Sequence, residues 1–149
     1  MIYSDMTKKA LNLAYKMHEG QTDRLGIPYI FHPYHVAEQM KDETTATIAL
    51  LHDIIEDTAA TEEMLWEEGF PAEVIEAVVA LTHDKEEDYF LYIERVGKNE
   101  LARAVKLADL EHNSDRSRIV EPSPKDILRY EKYEKAKEML LFEKKRDIM

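Results

Sequence analysis

The chain of 149 residues contains no cysteine, which excludes disulfides, thiolate zinc sites and cysteine nucleophiles. Histidine and carboxylate side chains are then the only strong metal ligands left. A lack of cysteine also fits a reducing compartment, so we predict a cytoplasmic location. Positive charge is scarce as well, because 20 Lys and Arg stand against 31 Asp and Glu, for a net charge of −11.

This negative balance argues against nucleic acid or an anionic membrane as a partner, so any anionic substrate must be attracted by local positive charge. Long apolar runs are missing too, and we expect neither a signal peptide nor a membrane span. Only 4 Gly and 5 Pro occur, with no low-complexity tract or repeat. We therefore expect one domain over residues 1–149, with enough apolar content to bury a core.

Apolar residues recur at helical spacing through nearly the whole chain, without strict alternation around hairpin turns. The pattern predicts an all-α fold, a compact bundle of several helices. Expected helices cover about residues 4–17, 45–57, 61–69, 88–96 and 99–112, with others opening at Pro33, Pro71 and Pro124. The helix over residues 45–57 is the most hydrophobic and should be central. The last is amphipathic and can either pack against the bundle or mediate homo-oligomer formation.

The segment ATIALLHDIIEDT, residues 46–58, carries four polar side chains on an otherwise apolar helix. His52, Asp53, Glu56 and Asp57 fall within an arc of roughly 140° and share one face. Such a cluster would be strained by repulsion unless a cation neutralised it, and a divalent metal is the simplest explanation. The alternative is that Glu56 and Asp57 face water at the helix end while His52 is a core histidine.

Two further segments offer candidate ligands. In KLADLEHN, residues 106–113, Lys106, Asp109 and Asn113 line one helix face, with Asp109 a candidate ligand and Asn113 a hydrogen-bonding amide. In PYIFHP, residues 28–33, His32 precedes a rigid proline. The alternatives are a solvated polar stripe and a histidine that packs at a helix start. Of the other histidines, we expect His18 to satisfy a core or helix-end hydrogen bond and His112 to point away from the site, while His35 lies one turn beyond His32.

Taken together, these motifs resemble the HD-domain metal-dependent phosphohydrolases. The resemblance is closest to the hydrolase domain of the Rel/Spo alarmone enzymes and to the stand-alone small alarmone hydrolases, and it covers about residues 5–120. The matching motifs, in chain order, are HP at 32–33, HD at 52–53, ED at 56–57 and KLAD followed by Asn at 106–113. A second HD pair, at 83–84, is interpreted as a loop without a role in the site.

The resemblance implies a helix bundle that binds one divalent metal ion, expected to be Mn²⁺, through His32, His52, Asp53 and Asp109. It implies that Glu56 and Asp57 position and activate water. The reaction of that family removes the 3′-pyrophosphate of guanosine tetra- or pentaphosphate (ppGpp), so the expected partner is a small nucleotide substrate.

The chain departs from the family pattern in the loop that follows Gly20-Gln21. Alarmone hydrolases typically read Arg-Lys-Ser-Gly there, whereas residues 23–26 read Asp-Arg-Leu-Gly. Arg24 is the first candidate to offset substrate charge, ahead of Lys106 and Arg116, and Asn113 is a second substrate-binding candidate. Two alternatives stay open: hydrolysis of an adenine alarmone or another nucleotide, and a non-catalytic nucleotide-binding module that keeps its metal. The acidic pair Glu56-Asp57 argues against the second.

Overall fold

The structure is a computed structural model that describes residues 1–148. Its helices are α1 (Asp5–Met17), α2 (Phe31–Glu38), α3 (Glu43–Leu51), α4 (Ile54–Asp57), α5 (Glu62–Glu67), α6 (Ala72–Leu81), α7 (Tyr89–Gly97), α8 (Glu100–Asn113) and α9 (Pro124–Ile148). A 3₁₀-helix covers Arg116–Arg118. Within residues 1–148 the only β-type pairing is one bridge between Thr22 and Pro28. The all-α prediction is confirmed.

Side-chain caps explain why most of these helices begin where the sequence predicted. Ser4, Asp42, Thr61, Asp88 and Asn99 each accept a hydrogen bond from a backbone N–H of the first helical turn. Each such cap is worth about 1 kcal/mol, because it satisfies a donor that the helix leaves unpaired.

Helix α3 lies at the centre of the bundle, as its hydrophobicity predicted. It packs against α1, α2, α6 and α8, and every residue from 45 to 51 is buried. His52, the residue that follows α3, therefore lies in the interior between α2 and α8.

One expected element is wrong: the helix predicted over residues 45–57 is two helices, α3 and α4. The imidazole Nδ1 of His52 donates to the carbonyl oxygen of Ala49 at 2.6 Å, and the backbone N–H of His52 bonds the same oxygen at 3.4 Å. A side chain that takes this carbonyl competes with the α-helical ladder. The helix therefore ends at Leu51, and His52 and Asp53 form the connection to α4.

Helix α9 packs against α7 and α8 and buries Tyr130, Ala136 and Leu140. Of the two roles foreseen for it, packing against the bundle is the one observed, while self-association stays a prediction. Leu141 and Phe142 remain 47% and 62% exposed. Across residues 1–148 no helix combines the length and apolar character needed to cross a membrane.

Candidate functional site

Three buried side chains from three elements meet at the inner end of α3. His32 comes from α2, His52 follows α3 and Asp109 comes from α8, and their side chains are 6%, 2% and 5% exposed. One ligand atom from each lies within 4.8 Å of the other two. The group could hold a metal ion, as the sequence predicted for these three residues.

His52 gives the strongest test of whether these residues fit a metal. Its Nδ1 is engaged by the Ala49 carbonyl, which places the ring proton on Nδ1 and leaves a lone pair on Nε2. That Nε2 is buried without a hydrogen-bond partner among the described residues. It lies 3.1 Å from Oδ2 of Asp53 and 3.4 Å from Oδ1 of Asp109. A buried Nε2 that faces carboxylate oxygens is a place for a cation, which a divalent metal would fill in exchange for a proton on this nitrogen.

The electrostatics of the cluster also favour a positive charge. Burial works against a charged imidazole, yet the carboxylates of Asp53 and Asp109 raise the pKa of His52 well above its usual value. Burial likewise works against a charged Asp109, but Lys106, whose Nζ lies 2.8 Å from Oδ2 of Asp109, brings the pKa of Asp109 well below its usual range. Lys106 is thus paired with a candidate ligand.

Asp53 and Asn113 adjoin this group. Oδ2 of Asp53 lies 3.9 Å from Nε2 of His32 and accepts a hydrogen bond from the hydroxyl of Tyr29. Nδ2 of Asn113 donates to Oδ1 of Asp109 at 3.0 Å. Tyr29 was missed by the sequence reasoning. It belongs to the aromatic strip before His32, but nothing in that strip indicates which hydroxyl points inward.

His112 lies beside His32, so the prediction that it points away from the site is wrong. The two Nδ1 atoms are 2.7 Å apart, and the rings lie edge to edge, with centroids 5.0 Å apart and planes 13° apart. The ring of His35 stacks on the ring of His112, with centroids 4.0 Å apart. Burial and the neighbouring His32 lower the pKa of His112 to about 4. The signal was available, because His112 follows Asp109 by three residues and shares its side of the helix.

Glu56 and Asp57 lie on α4 at the exposed rim of the cluster, in different environments. Oε1 of Glu56 accepts the backbone N–H of His83 at 2.8 Å. Partial burial of the Asp57 carboxyl, together with the charges of Asp53 and Glu56, raises its pKa to about 6. Gln21 anchors this end of α4, since its Nε2 donates to the backbone oxygen of Asp57 at 2.8 Å.

His18 makes a local hydrogen bond, as expected: its Nδ1 lies 2.9 Å from Oε1 of the same Gln21. The ring of His18 also lies 5.0 Å from that of Tyr29. The loop that carries Gln21 is thereby tied both to α1 and to the end of α4.

A cleft of about 340 Å³ opens next to the cluster, and its wall includes Arg24, Asn113, Arg118, Arg129, Tyr29 and Tyr133. Arg24 and Arg129 both pair with the carboxylate of Asp126 at the start of α9. Arg118 lies 3.4 Å from Oδ2 of Asp23. A larger depression of about 750 Å³ between α8 and α9 contains none of the cluster residues. The smaller cleft therefore places three arginines close to the candidate metal ligands, in a molecule whose net charge is negative.

The chain matches a known protein family along most of its length. The family described as HD domain matches residues 10–118. The chain belongs to the HD-domain family. The matched range contains two HD pairs: His52-Asp53 lies at the break between α3 and α4, and His83-Asp84 lies in the loop between α6 and α7.

Relatives of this HD domain include much longer proteins. A GTP pyrophosphokinase of Myxococcus xanthus is 45% identical over 82 residues, which are 52% of this chain and 11% of that protein. The bifunctional (p)ppGpp synthase/hydrolase SpoT of Escherichia coli K12 is 38% identical over 121 residues, 71% of this chain and 17% of the relative. This chain thus spans less than a fifth of the length of these curated relatives.

A solved structure shows the same fold along nearly the whole HD-domain chain. It is described as a metazoan ortholog of SpoT that hydrolyses ppGpp and plays a role in starvation responses. The TM-score is 0.75 at 26% sequence identity, and the match covers 96% of this chain and 87% of the other. The compact helix bundle is therefore the fold of that hydrolase.

Proposed function

We propose that this HD-domain protein is a metal-dependent phosphohydrolase that removes the 3′-pyrophosphate of ppGpp. The observation that carries the proposal is the buried cluster of His32, His52 and Asp109, with the unpartnered Nε2 of His52, beside an arginine-lined cleft. The names of the SpoT-like relatives, and the fold match to a structure described as hydrolysing ppGpp, support this substrate. With guanosine tetraphosphate, water adds to the phosphorus bonded to the 3′ oxygen of the ribose. The bond between that phosphorus and the 3′ oxygen breaks, and GDP and pyrophosphate are released.

His32, His52 and Asp109 would hold the ion, and Asp53 is proposed as the fourth ligand because its Oδ2 lies 3.1 Å from Nε2 of His52. One divalent ion, proposed to be Mn²⁺, would lower the pKa of a nearby water and offset negative charge on the phosphoryl group. Asn113 and Lys106 hold the two oxygens of Asp109. Tyr29 holds Oδ2 of Asp53, so both acidic ligands are fixed by hydrogen bonds.

Glu56 and Asp57 are proposed as the water-handling pair, with separate tasks. Because the pKa of Asp57 is raised to about 6, its carboxylate is suited to accept a proton from water near neutral pH. Glu56 bonds the backbone at His83, which fixes the rim on which Asp57 sits. Glu56 therefore holds α4 in place through the backbone at His83, and Asp57 accepts the proton from water.

Arg24 and Asn113 are proposed to contact the substrate, because both side chains line the cleft. The departure at Asp23 has a structural explanation. Its Oδ1 accepts the backbone N–H groups of Leu25 and Ile27 at 2.8 and 3.0 Å, which shapes the loop that presents Arg24. The loop therefore retains a defined conformation. Arg24 and Arg129 pair with Asp126, and Arg118 pairs with Asp23. A polyphosphate would therefore bind these arginines by displacing the carboxylates.

Product identification tests the proposal. The Mn²⁺-loaded wild-type protein is incubated with guanosine tetraphosphate, its adenine counterpart and a panel of ordinary nucleotides. Asp53→Asn is compared with Asp84→Asn, which removes the same charge from the second HD pair. We expect pyrophosphate and GDP from the wild type and from Asp84→Asn, and at least a 100-fold slower release from Asp53→Asn.

Two other results would overturn the proposal. Turnover of the adenine alarmone or another nucleotide in place of the guanine compound would keep the site and change the substrate. A metal-loaded protein that binds nucleotide without turnover would indicate the non-catalytic module. The cytoplasmic location, the single domain, the absence of nucleic-acid and membrane partners, and homo-oligomer formation stay predictions.

A further inference from the structure

The two ring nitrogens of His32 face different partners. Nε2 faces the cluster, 2.8 Å from Oδ1 of Asp109. Nδ1 faces away from it and lies 2.7 Å from Nδ1 of His112. A ring fixed at both nitrogens has one orientation, so whatever holds Nδ1 also determines where Nε2 points.

We propose that His112 is a positioning residue for the metal site, acting through its hydrogen bond to Nδ1 of His32. The proposal rests on the proposed function only in taking Nε2 of His32 as a metal ligand. Ligation through Nε2 requires the ring proton to sit on Nδ1, and an Nδ1–H group buried in this place needs an acceptor. Nδ1 of His112 is that acceptor, which places the proton of His112 on its own Nε2.

The surroundings of His112 suit a fixed acceptor. His35 stacks on one face of its ring and His32 meets its Nδ1 edge, so the ring has little rotational freedom. Nη1 of Arg118 donates to the backbone oxygen of His112 at 3.1 Å, which anchors the end of α8. A mobile surface histidine would show none of these restraints.

Helix α8 thereby orients two candidate ligands from one turn. Asn113 donates to Asp109, which lies on the same helix, while His112 reaches across to His32 on α2. The alternative role for His112 is packing alone, since its stacked ring fills space between α2 and α8. The two roles make different predictions for side chains of equal shape.

Three variants separate these roles. His112→Asn keeps a hydrogen-bond acceptor, because the Asn Oδ1 occupies nearly the same place as the histidine Nδ1. His112→Leu has almost the shape of Asn but no acceptor. His35→Leu disturbs the stack and leaves the bond between His32 and His112. Each metal-free protein is titrated with Mn²⁺ and with Co²⁺ by calorimetry, the visible spectrum of the Co²⁺ form is recorded, and thermal unfolding checks that each variant is folded.

We expect His112→Leu to bind both ions roughly 10- to 100-fold more weakly than wild type, with an altered Co²⁺ spectrum. His112→Asn should recover most of the affinity, and His35→Leu should bind like wild type. Equal affinities in wild type and His112→Leu would overturn the proposal, and equal weakening in the Asn and Leu variants would assign His112 to packing instead.

The titration needs no substrate, so it separates this inference from the proposed function. A wild type that binds metal but does not hydrolyse ppGpp would overturn the function and leave the role of His112 standing. A wild type that binds neither ion would overturn both.

Discussion

Asp57 shows how the environment of one residue can favour function at the expense of stability. Its carboxyl is partly buried near Asp53 and Glu56, and its pKa is raised to about 6. An aspartate in the unfolded chain titrates near 3.9. Ionising Asp57 therefore destabilises the metal-free fold progressively between about pH 4 and pH 6, and the full loss is present above pH 6.

The variant Asp57→Asn cannot ionise, so its metal-free form should unfold at a higher temperature than wild type at pH 7 to 8. The difference should close as the pH falls from 6 to 4, because wild-type Asp57 then becomes neutral as well. The same variant should hydrolyse ppGpp about 10²- to 10⁴-fold more slowly, since it lacks the proposed proton acceptor.

Thermal unfolding in a chelating buffer across pH 4 to 8 measures the stability effect. Glu131→Gln, at an exposed position of α9, is the matched control for the loss of one negative charge. A gap between wild type and Asp57→Asn that stays constant across this range would contradict the assigned cause.

For single residues, the sequence predicted which side chains belong to the candidate site better than it predicted their contacts. His52 was predicted because histidine and carboxylate at helical spacing are unusual on an apolar helix, whereas His32 and Asp109 were chosen as ligands from the resemblance to HD-domain enzymes. Tyr29 was missed because its role depends on which way its hydroxyl points, and that direction arises only when the loop before α2 packs against Asp53. For His112 the spacing from Asp109 already indicated a place on the same side of α8.

Among the elements, α3 has the longest unbroken buried stretch, since residues 45–51 are all buried where it packs against four other helices. Leu51 is fully buried on it, directly before His52. Packing at this residue therefore fixes both the core and the position of a candidate ligand.

We expect Leu51→Ala to lower the free energy of unfolding by about 2–5 kcal/mol, through lost burial and the cavity that remains. Leu91→Ala removes the same atoms from a side chain that is 60% exposed on α7, and should change it by less than about 0.5 kcal/mol. Urea unfolding monitored by circular dichroism measures both. Equal losses from the two variants would show that α3 is not the packing centre.

The beginnings of most helices were predictable because capping side chains and prolines act locally. The end of α3 was not. Nothing in the apolar pattern of residues 45–57 changes at His52, and the break depends on a hydrogen bond from its ring to Ala49. A competition between a side chain and the helix ladder is decided by the tertiary position of that side chain.

For the whole molecule, a bound ion should contribute to stability by mass action. Free metal at 100 times its dissociation constant stabilises the folded state by about 2.7 kcal/mol, which is about 5–10 °C in Tm for a chain of this size. Chelation should remove this increment from wild type and from Asp84→Asn. His52→Ala should show none, and a wild type with the same Tm with and without metal would contradict the candidate site.

The net charge of −11 predicted that positive charge must be concentrated locally, and the structure shows where. Arg24 was identified from its loop. Arg118 and Arg129 were not, because they lie in the sequence about 100 residues from that loop and reach the same cleft only through the fold.

The pair between Arg24 and Asp126 joins residues 102 positions apart in the chain. The cluster of His32 and Asp109 joins α2 to α8 and uses no residue of α9. Local detachment of α9 would therefore open the wall of the cleft and leave the candidate ligands in place. A chain in that state could retain metal while unable to hold a nucleotide.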